Sequence, residues 1–161
     1  MSVDPLLKIR LAPIDWQILA ILQVEGKATY ADLARRVGLS QAAVHERVKK
    51  LERCGAIRGY RAMIDPAIAS LTVTAFVFVE QVGGPRHREL PERFAAHPGV
   101  VSCRSIAGDE SYLLEVRATD TAGLERLINE LREIEGVERT RTVVGLTTWF
   151  EDRPVMPPDT T

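Results

Sequence analysis

Residues 35–61, RRVGLSQAAVHERVKKLERCGAIRGYR, carry eight basic side chains against two acids. The bases are Arg35, Arg36, Arg47, Lys49, Lys50, Arg53, Arg58 and Arg61, and the acids are Glu46 and Glu52. A local net of +6 in so short a stretch suits phosphate, because each Lys or Arg that meets a nucleic-acid backbone releases a condensed counterion. No comparable set for catalysis or metal binding is present. His45, His87 and His97 are scattered, Cys54 and Cys103 form no C-x-x-C pair, and neither a G-x-S-x-G nor a P-loop pattern occurs. No metal, cofactor or catalytic residue is expected.

The basic residues need elements to present them. Thr29 is placed to cap a helix, with Asp32 completing a T-x-x-D capping box, and Leu33, Ala34 and Val37 make its inward stripe. Gly38 stops that helix, since the residue just past a helix end favours positive φ. Ser40 caps a second helix with a buried stripe of Val44, Val48 and Leu51. At about 100° per residue, Ala42, His45, Glu46, Lys49 and Arg53 point away from that stripe. Gly55 ends the helix, and Ile57 to Ile64 alternates as a short hairpin. The unit reads as a winged helix-turn-helix whose second helix enters a major groove. The candidate contact set is Ser40, Gln41, Ala42, His45, Arg47, Lys49, Lys50 and Arg58. Gln41, Ala42 and His45 face base edges behind the Ser40 cap, while Arg47, Lys49, Lys50 and Arg58 hold phosphates. Two alternatives stay open: His45 faces solvent only, and Arg47 forms an intradomain salt bridge. A solvated charged helix is the plain alternative for the whole stretch.

Charge divides the chain. Residues 1–66 net +4 and residues 67–161 net −5, although the whole is −1. A basic half joined to an acidic half predicts a nucleic-acid module attached to one that does not touch nucleic acid. Two cysteines, one in each half, predict reduced thiols and a cytoplasmic protein. The uncharged run from Pro66 to Val79 is too short to span a bilayer, no signal peptide is recognised, and no membrane partner is expected.

Along the chain, residues 1–12 read as a short disordered extension in which Leu6, Leu7 and Ile9 have no strong period. Pro13 starts a helix whose stripe is Ile14, Ile18, Leu19 and Leu22, with Trp16 as a half-exposed lid. Residues 1–65 form the first domain and 66–70 a linker. From Leu71 to Val82 the period is two, with Leu71, Val73, Ala75 and Val77 on one face and Phe76 and Phe78 on the other. After a Gly83-Gly84-Pro85 turn come a short helix at Pro91–Ala96 and strands at Val100–Ala107 and Ser111–Ala118. A helix at Thr121–Ile134 and a long strand at Val137–Phe150 follow. The order β-α-β-β-α-β predicts an α+β chain whose second domain, 71–152, is a ferredoxin-like antiparallel sheet. Residues 153–161 are a proline-containing tail with no core to join. A first strand apolar on both faces implies helices on one side and a second subunit on the other.

With both halves placed, the chain resembles the Lrp/AsnC (feast/famine) transcription regulators. The resemblance is carried by IDWQILAILQVEGKATYADLARRVGLSQAAVHERVKKLERCGAIRGYRAMIDP, VVSCRSIAGDESYLLEVRATD and VERTRTVVGLTTWF. It implies a regulator that binds double-stranded DNA, answers a small amino-acid effector, and forms homodimers that assemble to octamers or another even oligomer. It also implies an effector cleft around Gly108, Asp109, Glu110, Ser111 and Tyr112, with Thr140 and Thr142 closing it from a neighbour. Backbone N–H groups at Gly108 suit a carboxylate, Asp109 or Glu110 an ammonium, and Ile106 and Tyr112 form the walls. A plain β-turn uses the same residue types. Two other functions are weighed: an Lrp-like enzyme of the tetrapyrrole decarboxylase or small oxygenase type, and an effector-independent architectural DNA-binding protein. The basic reader speaks against the enzyme.

Overall fold

Proline at a first helical position gives up an N–H that has no intrahelical acceptor there, so Pro13 opens a helix at no cost. A computed structural model of the chain describes residues 10–82 and 89–157. In it α1 runs Pro13–Val24, and Asp15 reaches back to accept the Ala12 N–H at 3.0 Å. α2 spans Tyr30–Val37, with the Thr29 hydroxyl accepting the Asp32 N–H at 3.1 Å. Only this half of the expected capping box forms, because the Asp32 carboxylate pairs with Arg35 and Arg36 instead. Gly38 sits at φ +71, which lets the Leu39 N–H return to the Ala34 carbonyl at 3.1 Å. α3 spans Gln41–Arg53 behind Ser40, whose hydroxyl accepts the Ala43 N–H at 3.2 Å. The three helices close on Ile18, Leu19, Leu33, Ala34, Val44, Val48 and Leu51, with Trp16 half-buried at the edge as expected. Each of the Ile, Leu and Val side chains, fully buried, contributes about 1.5–3 kcal/mol.

The expected wing does not form. Residues 57–64 have no strand pairing in the structure, Gly59 lies at φ +147, and Met63 and Ile64 are exposed. Alternation there reflects an extended segment that no neighbouring strand meets. Pro66–Ala69 is a single 3-10 turn capped by Asp65, and it ends at Ser70 with φ 57, a left-handed position without glycine.

The second unit is a four-stranded antiparallel sheet in the order β2-β3-β1-β4. Its strands are β1 (Val73–Gln81), β2 (Val100–Ser105), β3 (Tyr112–Ala118) and β4 (Val137–Val144). Its helices are α4 (Leu90–Ala95) and α5 (Thr121–Arg132). Cross-strand partners share a face. Ala75, Val77 and Val79 align with Val116, Leu114 and Tyr112, and all six are buried under Leu90, Phe94, Leu124, Leu127 and Leu131. Phe76 and Phe78 lie on the other face, which no described element covers. The last strand is shorter than predicted. The Gly145 N–H bonds to the Thr74 carbonyl at 2.8 Å, β1 starts at Val73, and residues 146–150 have no strand left to pair with. Leu146, Trp149 and Phe150 are therefore exposed.

The chain divides into two compact units, Met1–Met63 with Phe150–Thr161, and Ile64–Trp149. The described residues from Phe150 to Pro157 thus join the helical unit, where the Gln23 side-chain amide brackets Val155. Its Nε2 donates to the Val155 carbonyl at 3.0 Å and its Oε1 accepts the Val155 N–H at 2.6 Å. Among the described residues no helix is long and apolar enough to cross a membrane. The Gly83-Gly84-Pro85 turn, His87, and Leu6, Leu7 and Ile9 lie outside the described residues.

Candidate nucleic-acid interface and ligand turn

Packing of Val44, Val48 and Leu51 into the helical core fixes which side of α3 faces out. A second anchor sets the flank. Asp15 is 4% exposed and accepts from Arg47 Nη1 at 2.8 Å as well as from the Ala12 N–H. Arg47 is therefore engaged within the subunit, which favours the salt-bridge reading over the phosphate contact. Four of the eight bases are neutralised in this way: Arg35 by Asp32, Arg36 by Glu25 and Asp32, Arg47 by Asp15 and Arg61 by Asp152. The Glu25 hydrogen bond also raises the Arg36 pKa.

Lys49, Lys50 and Arg58 remain. Their side chains are exposed and make no hydrogen bond or ion pair with another described residue. Arg53 turns its Nε to the Lys49 carbonyl at 3.3 Å. Gln41 and Ala42 are exposed at the start of α3, and the Ser40 hydroxyl is spent on the helix cap. His45 is half-buried, edge-on to the Tyr30 ring at 4.9 Å, so it flanks the outward row and does not project from it. Glu46 does project, with its side chain 71% exposed. Beside this row a shallow groove of about 410 Å³ is lined by Tyr30, Gln41, Glu52 and Tyr60 among others. The Tyr60 hydroxyl donates to Glu52 at 3.2 Å, and burial with that bond pushes its pKa up to about 12.

In the sheet unit the turn after β2 is closed by the Ile106 N–H to the Ser111 carbonyl at 3.0 Å. The Ser111 N–H is anchored on the Val79 carbonyl at 2.8 Å. Between them Gly108 and Asp109 are exposed, and their N–H groups make no bond to another described backbone group. A Cβ built on Gly108 meets nothing within 4 Å. Asp109 has no partner among the described residues, whereas Glu110 is held by Arg141 at 2.7 and 2.9 Å. The Arg141 hydrogen bond holds the Glu110 carboxyl below its usual 4.5. The ion pair is therefore complete above that value and is lost only as pH falls through the lowered one. Arg141 also lies 4.0 Å over the Phe78 ring.

Two expected wall residues differ in setting. Ile106 is half-buried beside the turn, but Tyr112 is 6% exposed with its ring against Phe94, because period-two alternation puts it in register with Val79 inside the core. Thr140 pairs with Val79 in the same row, so it lies two strands, about 10 Å, from Tyr112. Its hydroxyl accepts from Arg132 Nε at 2.8 Å. The Thr142 hydroxyl is buried without a partner among the described residues. Within one chain the turn and the threonines are thus at one end of the sheet but not in contact through Glu110, whose side chain turns to the open face. Among the described residues no group of three or more His, Cys, Asp or Glu is placed to hold a metal ion.

Comparison with known proteins adds family to geometry. Residues 72–155 match the Lrp/AsnC ligand binding domain, and residues 12–52 match the AsnC-type helix-turn-helix domain. The HTH-type transcriptional regulator LrpA of Mycobacterium tuberculosis is 38% identical, over 89% of this chain and 95% of its own length. A solved feast or famine regulatory protein of M. tuberculosis, complexed with L-methionine, has 37% identity and a TM-score of 0.86, covering 92% of this chain and 100% of that one. A Neisseria meningitidis transcriptional regulator in complex with L-methionine has 28% identity and a TM-score of 0.86, covering 91% and 96%.

The Asp15 contact separates two roles for the bases of α3. Arg47→Ala leaves a buried carboxylate short of one partner and is expected to cost about 1–3 kcal/mol in urea unfolding. Lys49→Ala, on the exposed row, is expected to stay within about 0.5 kcal/mol of the parent. Equal stability of the two variants would return Arg47 to the phosphate-contacting set.

Proposed function

The chain belongs to the Lrp/AsnC family of transcriptional regulators, and on that premise we propose that it binds double-stranded DNA through α3 and alters that binding when a small amino acid occupies the turn between β2 and β3. The DNA half rests on the sorting of charge. Half of the local bases are consumed by intrachain acids, while Lys49 and Lys50 on α3 and Arg58 just after it are exposed and make no ion pair with another described residue. In this proposal residues 1–65 are the reading domain, 66–70 the linker, 71–152 the effector-binding and oligomerisation domain, and 153–161 the tail. The protein acts as a regulator without catalysis or cofactor, and its proposed place is the cytoplasm, where its DNA partner is reached.

Assembly follows from the sheet. Phe76, Phe78 and Val143 occupy a face that no described helix or strand covers, and burial of apolar surface favours a second copy there. Homodimers joined in this way, and octamers or other even oligomers built from them, are the reading the family supports. An effector held between subunits would favour one assembly over another by its difference in affinity, and so change how the readers are spaced.

The effector half is supported by the exposed N–H groups at Gly108 and Asp109, by the uncommitted Asp109 carboxylate, and by relatives solved with L-methionine. Asp109 answers the ammonium here, because Arg141 already neutralises Glu110.

Two experiments test this reading. Lys49→Ala is expected to weaken binding to all duplexes alike and reduce the salt slope by about one ion, whereas Gln41→Ala alters the preferred sequence. An unchanged slope and an unchanged preference together would remove α3 from the interface. For the turn, L-methionine and the other proteinogenic amino acids are titrated calorimetrically at millimolar concentration. Gly108→Trp, which meets no neighbouring atom at its Cβ, and Asp109→Ala are expected to abolish the response while basal DNA binding persists. If no amino acid binds the parent chain, the turn is only a turn.

A further inference from the structure

We infer that Glu46 selects a cytosine in the major groove and is the specificity-determining residue at the centre of α3. The inference rests on the proposal that α3 is the reader, and deepens it. Ala42, Glu46, Lys49 and Arg53 follow one another at i, i+4, i+7 and i+11, opposite the buried Val44, Val48 and Leu51. Glu46 is thus the second of four residues on the row that faces a groove, and its side chain is 71% exposed.

Its carboxylate makes no hydrogen bond with another described residue. Lys50 stands at the favourable i+4 spacing and Lys49 at i+3, yet Glu46 pairs with neither. His45 Nδ1 is 3.6 Å from Oε1, beyond hydrogen-bonding distance, and its ring is held to the side by Tyr30.

A carboxylate between two rows of phosphates is repelled unless a donor meets it. The donors that base edges present in the major groove are the exocyclic amines of cytosine and adenine. Adenine places the acceptor N7 beside its amine, a donor–acceptor pair that suits Asn or Gln. Cytosine presents N4–H₂ as its donor, which suits an ionised, acceptor-only carboxylate. The same charge penalises every register in which no amine meets it, so Glu46 discriminates by repulsion as well as by attraction.

The experiment selects bound duplexes from a randomised pool with the full chain and with Glu46→Gln, Glu46→Ala and Lys49→Ala. Because Glu46 is exposed, its variants are expected to unfold with the parent in urea. The parent should require cytosine at one position in each half-site. Glu46→Gln should shift that position to adenine, and Glu46→Ala should lose about tenfold or more of the discrimination there, with non-specific affinity equal or higher. A parent preference without cytosine at a Glu46-sensitive position, or the same preferred base in all the Glu46 variants, overturns the inference. Lys49→Ala keeps the two levels apart. If its salt slope falls while the Glu46 variants select unchanged sites, only the role of Glu46 fails. If its slope is also unchanged, the reading of α3 fails with it.

Discussion

Asp15 is a carboxylate at the first turn of α1 with almost no access to water, and such a group persists only when its oxygens are occupied. One oxygen takes the Ala12 N–H and the other takes Arg47 from α3. The bond does more than satisfy a buried charge. Together with the apolar stripe it fixes the rotation of α3 about its own axis, since Arg47 can reach Asp15 only when Ala42, Glu46, Lys49 and Arg53 face away. Which side of α3 is left facing outward is therefore decided inside the chain. Pairing of half the local bases (Arg35, Arg36 and Arg61 as well as Arg47) leaves Lys49, Lys50 and Arg58 without an ion pair among the described residues.

The sheet unit is governed by a comparable constraint of opposite sign. Period-two strands bury one face under α4 and α5, and no described helix or strand covers the other. That open face is neither purely apolar nor purely polar. Arg141 lies over Phe78 and reaches Glu110, Arg139 pairs with Glu80 on one side of it, and Phe76 and Val143 follow on the other. Ion pairs already satisfied within the chain lower the desolvation cost of covering such a face, while the aromatic rings supply the apolar area. The Glu110–Arg141 pair also joins the exposed turn to this surface, so a ligand at the turn and a partner at the face would act on adjacent groups.

Local rules made most of the fold legible in the sequence. Gly38 at positive φ, Ser40 as a cap, and the spacing of Val44, Val48 and Leu51 each state their conformation within one helical turn. Alternation announced β1, and the order of elements announced the sheet. What was not legible depended on partners far away in sequence. The alternation from Ile57 to Ile64 shows an extended segment but cannot show that no strand lies beside it. The same pattern after Val144 cannot reveal that β1 has already ended at Val73. Arg47 and Asp15 are 32 residues apart and Arg141 and Glu110 are 31 apart, so neither pairing has a local signal. Tyr112 reads as a polar-tipped wall until its register with Val79 puts the ring in the core. Glu46 was visible as an outward acid, and its isolation became apparent only when its basic neighbours proved not to bond to it.

In the proposed mode of binding, two copies of the outward row of α3 enter the major groove on one face of a duplex. Protection of guanine N7 from dimethyl sulfate on a selected duplex reports contact in that groove directly. Two clusters of protected guanines are expected, centred about 10–10.5 base pairs apart or at a multiple of that distance. Binding that leaves every major-groove N7 accessible, or one cluster alone at saturating protein, would contradict it.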